Sequence, residues 1–174
     1  MWKRQQSADF EDFMADDGQP RPPKRPRKTA LIAAVDILAR QEQSEKKLRE
    51  KLGRKGYSPE EIQTAVDRLI EKHYLNDADA CARQFEFLYQ ESRSSIRQIS
   101  IKLMQRGFDS AMIKDCIPTD TFEREKAAAL RVLAIKFKPY ADRQKMMANL
   151  YSKGFDSSAI RAAVEEFMAG EEQE

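Results

Sequence analysis

One short turn occurs three times in this chain of 174 residues and constrains its fold more than any other feature. Each copy joins a basic residue, a glycine and an aromatic residue: Lys55-Gly56-Tyr57, Arg106-Gly107-Phe108 and Lys153-Gly154-Phe155. Around each glycine, apolar residues stand eight and four positions before it and six and ten positions after it. The glycines are 51 and 47 residues apart, a period typical of stacked helical or bladed repeats. The chain is therefore predicted to contain three tandem units.

The spacing within one unit predicts a helix, a tight turn and a second helix. Apolar residues four positions apart lie on one face of a helix, and a glycine after them suits a left-handed C-cap. Two positions after the glycine stands Ser58, Asp109 or Asp156, whose side chain can accept from the free amides of a helix start. In the first unit, Ser58-Pro59-Glu60-Glu61 has the sequence of a capping box. Each turn is thus predicted to end one helix and begin the next.

The apolar periodicity predicts nine helices, in three groups of three, over residues 29–168. A break falls at Pro139, and the period-two runs typical of strands are absent. The predicted fold is all-α, with three tandem three-helix repeats in an elongated right- or left-curved stack. The predicted repeats are residues 29–75, 76–118 and 119–170.

Residues 1–28 have a different composition from the rest of the chain. Acidic and aromatic residues come first, and the stretch QPRPPKRPRK follows, in which four prolines exclude a regular helix. We predict a disordered tail whose basic part is a linker. The alternatives are an acidic and aromatic docking segment, for a partner or for the protein's own basic surface, and a basic nuclear address or phosphate-binding arm.

The sequence offers no catalytic constellation. His73 is the only histidine, so neither a histidine-based metal site nor a catalytic triad is indicated. The glycines do not form a phosphate-binding loop. We therefore expect a protein that is not an enzyme and that needs no cofactor and no metal.

No apolar run approaches the roughly 20 residues that span a bilayer, and no secretory signal follows Met1. We expect a cytoplasmic protein that does not bind membranes. Cys81 and Cys116 are far apart without a CxxC pattern. Since a reducing compartment disfavours disulfides, both are predicted to be buried free thiols, and the alternative is a disulfide or a redox role.

The charge pattern points to one surface. Outside residues 1–28, basic and acidic residues balance at 24 each, but the second helix of each unit is basic. At one, five and nine positions before the glycine, seven of nine residues are Lys or Arg. These positions share one flank of a helix. We predict a contact surface, called here the basic ridge, formed by Lys47, Lys51, Arg54, Lys55, Arg97, Lys102, Arg106, Lys145 and Lys153. The alternative is ordinary solvation, with cations favoured near helix C-termini.

Three segments carry a resemblance to a known family. They are the triplicated turn, the link Lys72-His73-Tyr74-Leu75-Asn76-Asp77, and the run from Ser95 to Phe108. Over residues 30–168 the chain resembles the RecX family of bacterial RecA regulators. In that family the link usually reads glycine, tyrosine, leucine, aspartate, aspartate, so His73 replaces the glycine and Asn76 the first aspartate.

The resemblance implies a modulator of RecA. Such a protein binds RecA, lies in the groove of the RecA filament on single-stranded DNA, and limits strand exchange, ATP hydrolysis and repressor autocleavage. Its partners would be RecA, the filament and, through the filament, single-stranded DNA, with weak direct DNA binding. We expect a monomer.

Two other functions stay open. A helix, a glycine-containing turn and a helix also outline a helix-turn-helix DNA reader. However, the residues that open the third helices are acidic, small or apolar, where base-reading Arg, Asn or Gln would be expected. The other alternative is a helical-repeat scaffold for protein interactions.

Overall fold

The computed structural model describes residues 27–138 and 140–170. These ranges contain nine helices and no strand, which confirms the predicted all-α fold of three-helix repeats. The helices are α1 (Ala30–Arg40), α2 (Glu45–Arg54), α3 (Pro59–Glu71), α4 (Asp77–Glu91), α5 (Ile96–Gln105), α6 (Ser110–Asp115), α7 (Phe122–Lys136), α8 (Arg143–Ser152) and α9 (Ser157–Ala169). We call α1–α3 unit 1, α4–α6 unit 2 and α7–α9 unit 3. The predicted tail, apart from Arg27 and Lys28, and the predicted break at Pro139 lie outside the described residues.

Each unit has its own apolar core. The repeated positions eight and four before the glycine and six after it are buried in all three units: Leu48, Leu52 and Ile62; Ile99, Leu103 and Ile113; Met146, Leu150 and Ile160. Burying one such side chain contributes about 2 kcal/mol. At the position ten after the glycine, Val66 and Val164 are buried, whereas Ile117 is half-buried because α6 ends at Asp115.

The predicted turns form as expected. The backbone φ angles are 80° at Gly56, 93° at Gly107 and 75° at Gly154, all in the left-handed region. The aromatic residue that follows each glycine is buried, and its amide donates to the carbonyl of the leucine four positions before that glycine. The turn therefore closes the middle helix with a glycine C-cap and covers that end with an apolar ring.

The predicted helix starts are confirmed by their capping contacts. The Ser58 side chain accepts from the Glu61 amide at 3.2 Å, and the Glu61 carboxylate accepts from the Ser58 amide at 2.8 Å, which completes the capping box. Asp109 and Asp156 accept from amides in the first turns of α6 and α9. Local sequence thus fixes where these helices begin.

The link between units 1 and 2 holds a non-glycine residue in the left-handed region. His73 has a φ of 57° and its amide donates to the Ile70 carbonyl at 2.9 Å. The Tyr74 amide donates to the Leu69 carbonyl at 2.9 Å. Because a side chain disfavours this conformation, the link is strained where the RecX resemblance leads us to expect glycine.

Cys81 lies in the core of unit 2, Cys116 packs against that core, and both cysteines are free, as predicted. Burial is the first cause that raises the pKa of the Cys81 thiol to about 12, and Cys116 adds to the shift. The prediction of burial was wrong for Cys116, which is half-buried because it caps the short helix α6. A thiol with so high a pKa stays protonated and unreactive.

A joint that occurs twice holds successive units together. In the first joint, the hydroxyl of Ser44, the N-cap of α2, donates to the Arg106 carbonyl at 2.7 Å. In the second joint, the hydroxyl of Ser95, the N-cap of α5, donates to the Lys153 carbonyl at 2.7 Å. Both carbonyls precede a turn glycine, so the middle helix of one unit begins against the turn of the next.

A carboxylate from the next unit completes each joint. Asp77 accepts from the Glu45 amide at 2.8 Å, and Glu125 accepts from the Ile96 amide at 2.6 Å. These are the first amides of α2 and α5, which have no partner within their helices and where the helix dipole favours a negative charge. We call Asp77 and Glu125 the joint carboxylates.

Candidate basic interface

The basic ridge lies on α2, α5 and α8 and on the residues that end them, as the sequence predicted. Lys47, Lys51 and Lys153 are half-buried and the other six ridge residues are exposed. None of the nine side chains is buried in an apolar core. The structure therefore leaves the ridge accessible, and its contact with a partner stays a prediction.

In unit 1 the ridge is partly neutralised by one carboxylate. Glu50 lies 2.8 Å from Lys47 Nζ and 3.6 Å from the Arg54 guanidinium. The hydrogen bond from Lys47 is the main cause that lowers the pKa of Glu50, so this carboxyl is ionised near neutral pH. Lys51 Nζ donates to the Gln43 side-chain oxygen at 2.8 Å. The net positive charge of this part of the ridge is reduced.

In units 2 and 3 the ridge keeps its charge. Lys102 Nζ donates to the Ser94 hydroxyl at 2.7 Å, and Arg106 Nη1 donates to the Gln84 side-chain oxygen at 2.8 Å. Both partners are neutral. Within the described ranges, no ridge residue of units 2 and 3 forms an ion pair with a carboxylate: Arg97, Lys102, Arg106, Lys145 and Lys153. In unit 1, Lys51 and Lys55 also form none in these ranges.

An open cleft of about 820 Å³ lies between units 2 and 3, and we call it the unit 2–3 cleft. Two of its lining residues, Lys102 and Lys153, belong to the ridge. Three further cations line it: Arg93, Arg131 and Lys136. Among the described residues that line the cleft, Glu91 is the one acidic side chain. The cleft therefore gathers five cations against one carboxylate.

The corresponding groove between units 1 and 2 is smaller, with a volume of about 260 Å³. Glu42 lines it and pairs with Arg83, whose Nη2 lies 2.5 Å from the carboxylate. Arg93 stands 14 residues before the glycine of its turn, as Glu42 does. Arg131 stands six residues after its joint carboxylate, as Arg83 does. An ion pair beside the first joint is thus replaced by two cations beside the second.

Sequence reasoning missed Arg93, Arg131 and Lys136 as part of this surface. The ridge was sought on the middle helices alone, whereas Arg131 and Lys136 lie on the first helix of unit 3. The sequence did contain a signal for Arg93: when the units are aligned on their turn glycines, Arg93 occupies the position equivalent to Glu42. Its meaning becomes clear only from the structure, where neighbouring units form a groove between them.

The arrangement suits binding of an anion rather than chemistry on it. Cations without nearby carboxylates attract phosphate or carboxylate groups, and a cleft concentrates their field. Across residues 27–138 and 140–170, no group of three or more His, Cys, Asp or Glu residues could hold a metal ion. No helix in these ranges is long and apolar enough to cross a membrane.

Two family models match the sequence. The model described as "RecX, first three-helix domain" matches residues 30–69, and the model described as "RecX, third three-helix domain" matches residues 124–164. These matches fall on units 1 and 3.

Curated relatives and solved structures agree with these matches. A "Regulatory protein RecX" from Neisseria meningitidis serogroup A is 32% identical over 148 residues, which is 80% of this chain and 92% of the relative. A protein of the same name from Caldanaerobacter subterraneus subsp. tengcongensis is 30% identical over 138 residues, 79% of this chain and 70% of the relative. The crystal structure of RecX from Lactobacillus salivarius has the same fold, with a TM-score of 0.69 and 19% identity over 79% of this chain and 94% of that one.

Proposed function

The chain belongs to the RecX family of regulatory proteins, and on that premise we propose that it binds RecA and the RecA filament on single-stranded DNA. Binding would inhibit the recombinase, ATPase and coprotease activities of RecA. Its relatives are named regulatory proteins, which agrees with a role in control rather than in catalysis.

One observation carries the site of this proposal. The ridge cations of units 2 and 3 have no carboxylate partner among the described residues, and two of them line the unit 2–3 cleft. Uncompensated Lys and Arg side chains bind phosphate oxygens and release the counterions of a nucleic acid. We place the main contact with the filament on this side, with unit 1 as an extension.

The repeat architecture supports a polymeric partner. Each unit presents its middle helix in the same relation to its turn, so similar surfaces recur along the chain. Several weak contacts on one partner act together when their spacing allows simultaneous binding. A filament built from identical subunits offers such recurring sites.

The test compares two double variants with the same change in charge. Lys102→Glu with Lys153→Glu reverses two cations of the cleft, and Lys72→Glu with Lys114→Glu reverses two exposed lysines outside the ridge. The cleft variant should lose inhibition of RecA-driven strand exchange and ATP hydrolysis. For binding to the filament, the plot of log affinity against log salt concentration should become shallower, with the magnitude of its slope reduced by about 2.

The outer-surface variant should keep near wild-type inhibition. It should also melt like the wild type, because exposed charges usually change stability by less than about 0.5 kcal/mol. Lys153 is half-buried, so the melting temperature of the cleft variant is measured as well, and inhibition is compared at a temperature at which both variants are folded. Equal inhibition by the two variants at wild-type concentration and salt would remove the cleft from the binding site.

A single substitution sharpens the test. Arg93→Glu should give Arg131 the ion pair that Glu42 gives Arg83 beside the first joint. Inhibition should weaken more than with Lys72→Glu, which changes the net charge equally. A gel shift on DNA with and without RecA then separates filament binding from direct DNA binding, since a direct binder would shift naked DNA equally well.

A further inference from the structure

The two internal joints define what one unit needs in order to stack on the next. One unit supplies a serine hydroxyl at the start of its middle helix, and the next supplies a turn carbonyl and a joint carboxylate. Within residues 27–138 and 140–170, three units make two internal joints and leave two halves of a joint without their counterpart. These halves are the turn of unit 1 and the start of the middle helix of unit 3.

At the first end, Arg27 occupies the place of a preceding unit. Its Nη2 donates at 3.0 Å to the Lys55 carbonyl, which corresponds to the carbonyls of Arg106 and Lys153 that receive the serine hydroxyls. An added Cβ at Gly56 would meet Arg27 Nη2 at 3.7 Å and nothing else described within 4 Å.

Two further contacts fix this segment. The Arg27 guanidinium carbon lies 4.1 Å from the centre of the Tyr57 ring, and the Tyr57 hydroxyl donates to the Lys28 carbonyl at 2.7 Å. Tyr57, the aromatic residue of the first turn, is thus held by the segment that precedes α1. One cation–π contact and two hydrogen bonds hold this segment specifically against the first turn.

Unit 1 also lacks a joint carboxylate. Asp77 and Glu125 stand 30 and 29 residues before their turn glycines, and the same distances before Gly56 lead to Pro26 and Arg27. A guanidinium therefore stands where an approaching helix start would need a negative group. Helix N-termini carry partial positive charge, so Arg27 repels one.

At the other end, the serine of the joint is replaced by Asp142. It stands 12 residues before Gly154, as Ser44 and Ser95 stand 12 before their glycines. Both serines are buried, whereas Asp142 is exposed and accepts from the Lys145 amide at 2.9 Å. An ionised carboxylate has no proton to donate, so it cannot form the hydrogen bond to a turn carbonyl that the serines form.

We propose that Arg27 and Asp142 are end caps, which close the two surfaces through which a second copy of this chain would otherwise add head to tail by the same joint. A head-to-tail contact that does not close a ring grows into an open filament. Repeat proteins need terminal surfaces that differ from their internal ones for this reason. The proposal concerns assembly of this chain and does not depend on its action on RecA.

The test opens both ends of the full chain. Arg27→Glu removes the guanidinium contacts with the Lys55 carbonyl and the Tyr57 ring and supplies a carboxylate, and Asp142→Ser supplies the hydroxyl. Wild type should sediment at its monomer mass of 20.1 kDa. The variant carrying both changes should show a weight-average mass that rises with concentration to at least double that value.

Mixing the single variants gives a sharper result. Each has one open end that fits the other, so an equimolar mixture should form a 1:1 complex that does not grow, while each alone stays monomeric. Arg27→Glu with Asp142→Ala is the matched control, because alanine removes the charge without supplying a donor, and it should associate more weakly.

Far-UV circular dichroism and melting temperature establish that every variant is folded. A folded double variant that stays monomeric at the highest concentration would overturn the proposal. So would a wild-type protein that already forms head-to-tail oligomers, or a mixture of single variants that forms no complex.

Discussion

The two joints follow one plan but bury their charged groups to different depths. In the first joint, Asp77 is half-buried and accepts from one described amide. In the second, Glu125 is 3% exposed and accepts from the amides of Ile96 at 2.6 Å and Asp156 at 3.2 Å. One carboxylate therefore fastens the start of α5 in unit 2 to the start of α9 in unit 3.

An arginine adds to this difference. Arg124 donates to four carbonyls at the end of α4 and in the segment after it: Leu88, Tyr89, Ser92 and Ser94. Its guanidinium carbon lies 5.0 Å from the centre of the Tyr89 ring, and burial lowers its pKa. Beside the first joint, the Arg83–Glu42 pair is largely exposed.

The same backbone contact is thus supported by a solvated charge in the first joint and by a desolvated charge in the second. Water can replace a lost partner at the first joint but not at the second, where an unpaired group would stay buried. We therefore expect the first joint to open at lower free energy, with units 2 and 3 moving as one body. The uncompensated cations of the unit 2–3 cleft would then be held in fixed positions.

The largest effect is expected from removing the joint carboxylates. Glu125→Ala leaves two amides without their buried acceptor and removes the carboxylate that lies 3.6 Å from Arg124 Nη1. It should lower the free energy of unfolding by about 3 kcal/mol. Asp77→Ala removes one hydrogen bond and should lower it by about 1 kcal/mol. Urea unfolding followed by circular dichroism measures both values, and equal losses would contradict the difference between the joints.

The next effect concerns the two arginines. Arg124→Ala removes four hydrogen bonds to carbonyls and should lower the free energy of unfolding by about 2 kcal/mol. Arg83→Ala removes an exposed ion pair and should leave the unfolding midpoint nearly unchanged, because such pairs contribute little. Amide hydrogen exchange should show faster opening at the ends of α4 and α7 in the first variant alone.

A smaller difference should separate two turn glycines. Gly56→Ala and Gly107→Ala both force a side chain into the left-handed region, at a cost of about 1 kcal/mol. At Gly107 the added Cβ would also lie 2.5 Å from the Ser44 hydroxyl oxygen, inside the first joint. Gly107→Ala should therefore lower the free energy of unfolding by roughly 1 kcal/mol more than Gly56→Ala does. Equal melting temperatures of the two variants would show that Ser44 does not restrict the space beside Gly107.

The smallest effect is a dependence on pH at the first joint. Burial is the main cause that raises the pKa of Asp77, while the hydrogen bond from the Glu45 amide opposes it and the Glu45 charge adds to it. The folded state thus binds this proton more tightly than the unfolded state. The stability that follows is fully present below the unfolded pKa of about 3.9 and is lost as pH rises through the raised native pKa.

Asp77→Asn removes this titration and keeps an oxygen that accepts from the Glu45 amide. The variant should gain stability relative to wild type as pH rises through that window, measured by urea unfolding at a series of pH values. A constant difference between the two proteins across the window would mean that Asp77 has the same pKa in both states.

Local features of the fold were predictable because their causes are local. The capping box at Ser58, the left-handed glycines and the buried apolar stripes depend on residues within a few positions of one another. Part of the ridge could also have been corrected from sequence alone, since Glu50 stands three residues after Lys47 and four before Arg54, spacings that place ion pairs on one helix face. The half-burial of Cys116 was missed, although Pro118 two residues later limits the length of the helix that Cys116 caps.

Periodicity and capping act over single turns of a helix, so the helices, their ends and their buried stripes follow from the sequence alone. Which groups meet across units depends instead on tertiary packing, because these contacts join residues that are far apart in the chain. Ser44 reaches a carbonyl 62 residues away, and Glu125 joins amides 29 residues before it and 31 after it. Partner choice at such distances depends on how the units pack, and so does the charge left without a partner in the unit 2–3 cleft.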